Sequence, residues 1–325
     1  MKIVAGLGSV DEYIPYVLAG ADELFCGYVP YNWTKKYGTV LPLNRREVLA
    51  YNVQLGSFSE LEILSAMIRK YRKPVHIAMN SLYYIPEQYE EIADIVKQCM
   101  KIGFDSFILA DPALILYLRQ KGISCKIHLS GEAGEMNQEA IKVFREMGIG
   151  RFIFHRKNTV ASMRQMIEAV NAEKLEFEAF ALNELCQFTG AFCNSLHCDE
   201  MGYLCRTTYW GDAEMEERME RVRKRTLEIE EQQEQQYLCG KSGCALCVLP
   251  QLEAAGITHL KLVGRGNYVE DMIRDIRNLK AALGVLEENQ REEKETGRYI
   301  DQLNKKIFDG QPCGNNCIYN PGQFL

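Results

Sequence analysis

Residues 106–129 read SFILADPALILYLRQKGISCKIHL, and this stretch decides the fold. Its first apolar run, residues 106–110, is short and rich in Phe, Ile and Leu, as a buried strand is. Residues 112–119 follow with apolar side chains at spacings of three and four, the pattern of a helix that buries one face. Gly122 falls just past that helix, where a left-handed cap is wanted. Residues 126–129 then open a second short apolar run.

The same unit recurs on both sides. Candidate strands occupy residues 2–6, 23–27, 74–79, 106–110, 126–129, 151–154, 177–182 and 259–263. Helical patterns include residues 13–19, 60–70, 89–102, 112–119, 138–147 and 160–170, and Gly20, Gly103, Gly148 and Gly256 follow helices as Gly122 does. Eight β/α units in 325 residues fit an α/β fold of the closed (β/α)8, TIM-like kind; a doubly wound open sheet shares the local pattern and is the alternative. A barrel carries its chemistry at the C-terminal ends of its strands. Those ends are residues 6–9, 26–28, Asn80, Asp111, 130–132, His155, Arg156, 183–186, Gly264 and Arg265, a polar set rich in potential ligands.

The composition, 47% hydrophobic and 25% charged, is that of a globular chain and argues against wholesale disorder. A net charge of -6 disfavours broad, sequence-blind nucleic-acid binding but allows a local basic patch. No apolar run reaches the roughly 18 residues of a membrane span. The opening MKIVAG reads as a strand and not as a signal peptide. The expected compartment is the cytoplasm, with no membrane partner.

Two stretches depart from the repeat. Residues 183–251 separate the seventh and eighth strands and form a cysteine-rich insertion whose second half, residues 212–236, reads as an exposed charged helix. Residues 281–325 follow the barrel domain, residues 1–280, as a tail with a polar helix at 286–306 and an irregular end. Seven of the 12 cysteines fall in the insertion: Cys186, Cys193, Cys198, Cys205, Cys239, Cys244 and Cys247. Clustered thiols in a chain with a large core of its own point to metal or redox chemistry more than to disulfides. Only Cys244 and Cys247 make a C-x2-C pair, so the spacing favours a dispersed iron–sulfur quartet over zinc and leaves zinc open.

In order along the chain, AGLGS (5–9), AGAD (19–22), Asn80, ADP (110–112), HLS (128–130) with Asn137, FALNELCQFTGAFC (180–193), CRTTY (205–209) and GITHLKLVGR (256–265) resemble peptidase family U32, over most of the chain. The resemblance implies a barrel carrying a 4Fe–4S cluster. It implies oxygen-independent hydroxylation of a small molecule (a ubiquinone precursor) or of RNA, with prephenate as oxygen donor in the RNA branch. It also implies a peptidase acting on peptides as the alternative, and a cluster-bearing partner subunit pairing with another member of the family as a further one.

Carried over residue by residue, the resemblance makes Cys186 and Cys193 the first two ligands and Cys247, in CVLPQL (247–252), the fourth. Cys205 is the third, with Cys198 or Cys26 as substitutes. Cys239, Cys244, Cys313 and Cys317 are surplus to the family pattern and form either a second thiolate site or peripheral thiols. The family's histidine and glycine stand as Asn183 and Glu184 here, and the glutamate of its last motif as Val263. A hydroxylase would use Arg265, Arg206 and Arg156 to hold a donor's carboxylates by forked hydrogen bonds. A peptidase would need a nucleophile and a base, for which Asp111, His128 and Ser130, beside Glu132 and His155, are the candidates; no G-x-S-x-G or H-E-x-x-H is present.

Overall fold

A computed structural model describes residues 1–38, 40–46, 53–170, 173–183, 185–186, 191, 193, 220, 239–240, 242–291, 296–310 and 316–319. Strands β1 (Lys2–Leu7), β2 (Glu23–Gly27), β3 (Val75–Met79), β4 (Ser106–Leu109), β5 (Lys126–Leu129), β6 (Arg151–Ile153), β7 (Glu176–Leu182) and β8 (His259–Leu262) close into one parallel barrel in chain order. The pairing of Lys2 with His259 and of Ala5 with Leu262 closes the ring, so the open-sheet alternative falls. Each strand lies within one residue of its sequence-derived bounds.

Ten helices surround or follow it among the described residues: α1 (Tyr13–Ala19), α2 (Tyr31–Tyr37), α3 (Phe58–Tyr71), α4 (Pro86–Lys101), α5 (Pro112–Gln120), α6 (Gln138–Glu146), α7 (Val160–Ala169), α8 (Leu249–Ala254), α9 (Val269–Arg291) and α10 (Thr296–Ile307). Their starts are fixed locally. The Ser57 hydroxyl and the Glu60 carboxylate make a reciprocal cap on α3, and Asp111, Asn137 and Thr159 accept main-chain N–H bonds at the heads of α5, α6 and α7. None of the helices is long and apolar enough to cross a membrane.

The end of the chain differs from its reading. A separate helix at 286–306 is expected, but α9 starts at Val269 and runs on to Arg291. Leu279, Ala282, Leu283 and Leu286 continue one buried stripe, so nothing breaks the helix near residue 280. The second helix, α10, packs on α9, and the Tyr299 hydroxyl donates to the Leu246 carbonyl at 2.7 Å. The charged run at 212–236 lies outside the described residues apart from Glu220.

Inside the barrel the side chains form layers. The lower one is ionic. Arg151, first in β6, donates to Glu178 at 3.2 Å and lies 2.7 Å from Glu23, while Glu23 also meets His76 at 2.9 Å. Lys261 donates to the other oxygen of Glu178 at 2.9 Å. Burial alone would raise the Glu23 carboxyl, but hydrogen bonds from His259 and His76 and the Arg151 charge more than reverse it, and Glu23 sits far below the usual carboxylate range. Removing one partner of such a buried set costs about 3–5 kcal/mol, because the other charge is left uncompensated. The upper layer is mostly apolar, with Phe25, Ala78, Ile108, Ile153 and Phe180, and forms the floor of a cleft at the C-terminal mouth.

Candidate functional site

The chain turns of the mouth bring cations together. Arg265 leaves the end of β8 and crosses the tops of β1 and β2. It can do so because Gly27 has no side chain: a Cβ there would fall 2.6 Å from Arg265 Nη1 and 2.8 Å from Asn44 Nδ2. Arg265 Nη1 donates to Asn44 Oδ1 at 3.3 Å. Gly264 is needed in the same turn, since a Cβ there would lie 2.2 Å from Met272 Sδ.

Arg156, in the turn between β6 and α7, stacks its guanidinium 3.8 Å from the centre of the Phe180 ring. Glu132 lies between two arginines, 3.9 Å from Arg156 and 3.4 Å from Arg45. Arg45 is itself held by its N–H to Asn80 Oδ1 at 3.0 Å and by a guanidinium hydrogen bond to the Cys193 carbonyl. With Arg46 and Lys261, these groups line a cleft of about 570 Å3, counting its open mouth. Among the described residues the lining holds four arginines, a lysine and one acid, Glu132, so the cleft suits a small anion carrying more than one charge.

Among the sequence-derived catalytic candidates, Ser130, Arg156 and Arg265 line this cleft. The other two stand outside the lining. Asp111 caps α5 by accepting from the Ala113 N–H at 2.8 Å and takes the Tyr89 hydroxyl at 3.1 Å. His128 is buried against His76, ring centres 4.5 Å apart, and burial with the neighbouring positive groups holds it well below its ordinary value of 6.5. Ser130 Oγ takes the Glu132 N–H and the Asn80 amide at 3.2 Å each, and among the described residues no histidine reaches it. Arg206 lies outside the described residues. Arg45, Arg46 and Lys261 are functional candidates that sequence reading missed. The NRR triplet at 44–46 was the available signal, but it sits in a loop that no period marks.

Main-chain pairing brings several of the cysteine-bearing segments to the side of the mouth. The Asn183 N–H donates to Gly243 O at 2.7 Å and the Leu185 N–H to Ser242 O at 2.8 Å, which lays the segment carrying Cys244 and Cys247 along the end of β7, next to Cys186. Cys244 is in register with Cys317, through Cys244 N–H to Asn316 O at 2.7 Å and Ile318 N–H to Cys244 O at 2.9 Å. Cys239 sits by Asp275; burial, then that carboxylate, raises its thiol well above the ordinary range. Cys193 is buried and meets the arginine cleft through Arg45. Cys26 lies inside β2, where burial pushes its thiol up to about 12, a protonated core group. Cys198, Cys205 and Cys313 lie outside the described residues. The donor set is right in kind for iron–sulfur ligation, thiols on loops at the barrel mouth. Among the described residues, no three Cys, His, Asp or Glu side chains converge where a metal ion would sit.

A profile described as Peptidase family U32 matches residues 8–314. The tRNA hydroxylation protein P1 of Bacillus subtilis is 22% identical over 214 residues, covering 64% of this chain and 46% of that protein. The tRNA hydroxylation protein P of Escherichia coli is 25% identical over 174 residues, covering 54% and 34%. That of Haemophilus influenzae is 30% identical over 195 residues, covering 59% and 38%. The chain thus spans less than half the length of each of these relatives.

Proposed function

The chain belongs to peptidase family U32, and from that premise we propose that it serves oxygen-independent hydroxylation, or a related redox modification, of RNA or of a small molecule. The observation that carries this reading is the cleft lined by Arg45, Arg46, Arg156 and Arg265, with Glu132 between Arg45 and Arg156. Guanidinium pairs bind carboxylates or phosphates in forked geometry, each charged hydrogen bond contributing about 1.5–3 kcal/mol. An anionic oxygen donor fits such a lining. A peptide bond is neutral and gains little from it, and peptide hydrolysis calls for an activated nucleophile or a metal-bound water. Ser130 is committed instead to Asn80 and the Glu132 N–H. The tRNA hydroxylation relatives support RNA as the substrate class.

In this reading Arg265 and Arg156 hold and orient the anion. Lys261, on the cleft floor over the Phe25 ring at 3.6 Å, is already paired with Glu178 beneath it, so the arginines carry the binding charge. The Phe25 and Phe180 rings exclude water from the lower wall. Cys186, Cys193, Cys205 and Cys247 would hold a 4Fe–4S cluster, whose contribution when bound is one-electron transfer. The test has two parts. Anaerobically purified protein is examined by absorption and EPR spectroscopy for the cluster. Hydroxylated nucleosides and quinones are then compared by mass spectrometry between a strain with the gene and one without it. The expected result is a brown protein and loss of one hydroxylated product; an unchanged modification profile overturns the hydroxylation reading.

A further inference from the structure

Arg45 stands where several loops of the mouth meet. It follows β2, and its main-chain N–H donates to Asn80 Oδ1 at 3.0 Å, just past β3. Asn80 Nδ2 donates to Ser130 Oγ at 3.2 Å, and the Glu132 N–H donates to the same oxygen at 3.2 Å. The Glu132 carboxylate then lies 3.4 Å from Arg45 Nε. These contacts close a ring of Arg45, Asn80, Ser130 and Glu132, and all four residues line the cleft. The turn that carries Glu132 has little room to move. A Cβ on Gly131 would meet the carbonyl oxygens of Ile153 and Phe154 at 3.2 Å, at the end of β6.

The same guanidinium reaches out of the cleft. Its Nη2 donates to the Cys193 carbonyl, beyond the end of β7, and Cys193 is buried. A second contact seats that stretch. A Cβ on Gly134 would lie 3.0 Å from Ala191 Cβ, so Ala191 packs on the end of the turn that carries Glu132. The Arg45 side chain is 9% exposed, yet its Nε makes no hydrogen bond among the described residues. A buried N–H of a charged group is costly to leave without an acceptor. One head group therefore gives one nitrogen to the main chain of Cys193 and keeps another donor in the wall of a cationic cleft.

We propose that Arg45 couples the cleft to the cysteine-bearing segment: an anion in the cleft takes the Arg45 Nε, and the side chain so held seats Ala191 and Cys193. This rests on the reading of the cleft as an anion site. The physical basis is a shared ordering cost. An arginine loses rotamer freedom when its head group is fixed. Whichever partner fixes it first, the carbonyl or the anion, bears that loss, and the other meets a side chain already in place. The coupling is positive and reciprocal: the seated segment strengthens anion binding as the anion strengthens seating. Arg45 is thus a positioning residue for the Cys193 segment, and occupation of the cleft bears on where one of the proposed thiol ligands stands.

The test is hydrogen exchange read by mass spectrometry on the full chain, purified anaerobically, with and without saturating malonate as a minimal dianion. The readout is the peptide containing Ala191 and Cys193, relative to the α6 peptide of the same sample. Isothermal titration gives the malonate affinity of each form. In the wild type, malonate is expected to slow exchange in this peptide at least threefold. Arg45→Gln should bind malonate at least threefold more weakly, exchange faster without it, and show no slowing at saturation. Arg45→Lys keeps the charge but not the planar fork, so it should bind malonate more nearly as the wild type does and still show no slowing. Slowing of wild-type size in either variant overturns the action through Arg45. Bound malonate with unchanged exchange in the wild type overturns the coupling and leaves the anion reading standing. If the wild-type chain binds no malonate, the anion reading fails and this proposal with it. Should Arg45→Gln not fold, Arg45→Lys decides alone.

Discussion

Asn183 donates from Nδ2 to Asp275 Oδ2 at 2.8 Å, and this bond latches the cysteine-bearing segment to the barrel. Asn183 sits at φ +69°, a left-handed conformation asparagine tolerates better than most residues, and its amide also donates to Val263 O at 3.1 Å. Asp275, fully buried on α9, takes the Gly240 N–H at 3.1 Å with its other oxygen. One side chain thus spans the ends of β7 and β8, and one carboxylate fixes the start of the 239–248 stretch. Asn183, which stands where the resemblance expects the family histidine, makes two of these links from its amide, and Asp275 makes the third to Gly240.

Asp275→Ala removes at least the two buried hydrogen bonds from Asn183 and Gly240 to a carboxylate, and with them the contact to Cys239. The expected loss is about 3 kcal/mol of stability. The cysteine segment should also loosen, so that Cys239 and Cys244 react faster with a thiol reagent than in the wild-type chain. Urea unfolding and timed thiol labelling measure the two effects. Equal labelling rates would show that the latch is dispensable for placing the thiols.

Gly27→Ala should separate stability from binding. The new Cβ meets Arg265 Nη1 at 2.6 Å and Asn44 Nδ2 at 2.8 Å, both at the ends of side chains, and Gln54 Cβ at a tight 3.2 Å. The cost to the barrel is about 1–2 kcal/mol, since Asn44 and Gln54 must give way, and Arg265 leaves its place across β1 and β2. The expected outcome is a melting temperature within several degrees of wild type and affinity for the dianion malonate, read by isothermal titration, reduced tenfold or more. Retained affinity would mean that Arg265 does not hold the anion.

Much of this was legible in the sequence, and the limit has a physical form. The eight strands were readable because each is a short apolar run bounded by a polar turn, and the caps because Gly20, Gly103, Gly122, Gly148 and Gly256 all take positive φ. Arg156 and Arg265 were readable as strand-end residues. Arg45 and Arg46 were not, since their place in the cleft depends on a loop folding back over the mouth, and loop paths carry no period. The ionic layer of Glu23, His76, Arg151 and Glu178 was also hidden. Alternating polar residues in a strand read as a solvent face, whereas here they point into the barrel and satisfy one another. The burial of Ile318 and Tyr319 was hidden for a third reason: a Gly- and Asn-rich tail shows no pattern that would predict it.

That ionic layer predicts how stability depends on pH. Burial lowers His76 and His128 below their ordinary 6.5, so the native state holds them neutral while the unfolded chain protonates them. The unfolded state then binds more protons as pH falls, and stability declines from about 6.5 downward. Glu23 and Glu178 are held below their ordinary 4.5. For Glu178, burial opposes this, and Lys261 and Arg151 outweigh it. Their stabilisation is complete above 4.5 and is lost as pH drops below it. Urea unfolding from pH 8 to pH 4 should therefore show a plateau above 7, a first decline from 6.5 and a steeper one below 4.5. His128→Asn should make the first decline shallower, leaving the share of His76, and leave the second in place. A profile level down to pH 5 would contradict the neutral buried histidines.

The final prediction concerns the thiols and separates ligands from core cysteines. Cys186 and Cys247 lie on paired segments at the mouth, Cys193 reaches the cleft through Arg45, and all three are proposed ligands. Cys26 and Cys99 are buried in β2 and α4, where burial pushes both thiols up to about 12. A thiolate is the species that binds iron, so a group held protonated by its apolar surroundings is a poor ligand. Reconstitution with iron and sulfide under anaerobic conditions should give near four irons per chain for a 4Fe–4S cluster in the wild type and in Cys99→Ala. Cys186→Ala, Cys193→Ala and Cys247→Ala should each lose most of the visible absorbance. Cys26→Ser distinguishes the remaining case. It should keep its iron and lose about 1–3 kcal/mol of stability from placing a poorly partnered hydroxyl in the barrel wall. Loss of iron in Cys26→Ser with a full complement in Cys247→Ala would reassign the ligand set toward β2 and move the electron-transfer site from the β7–β8 side of the mouth to the side of β1 and β3.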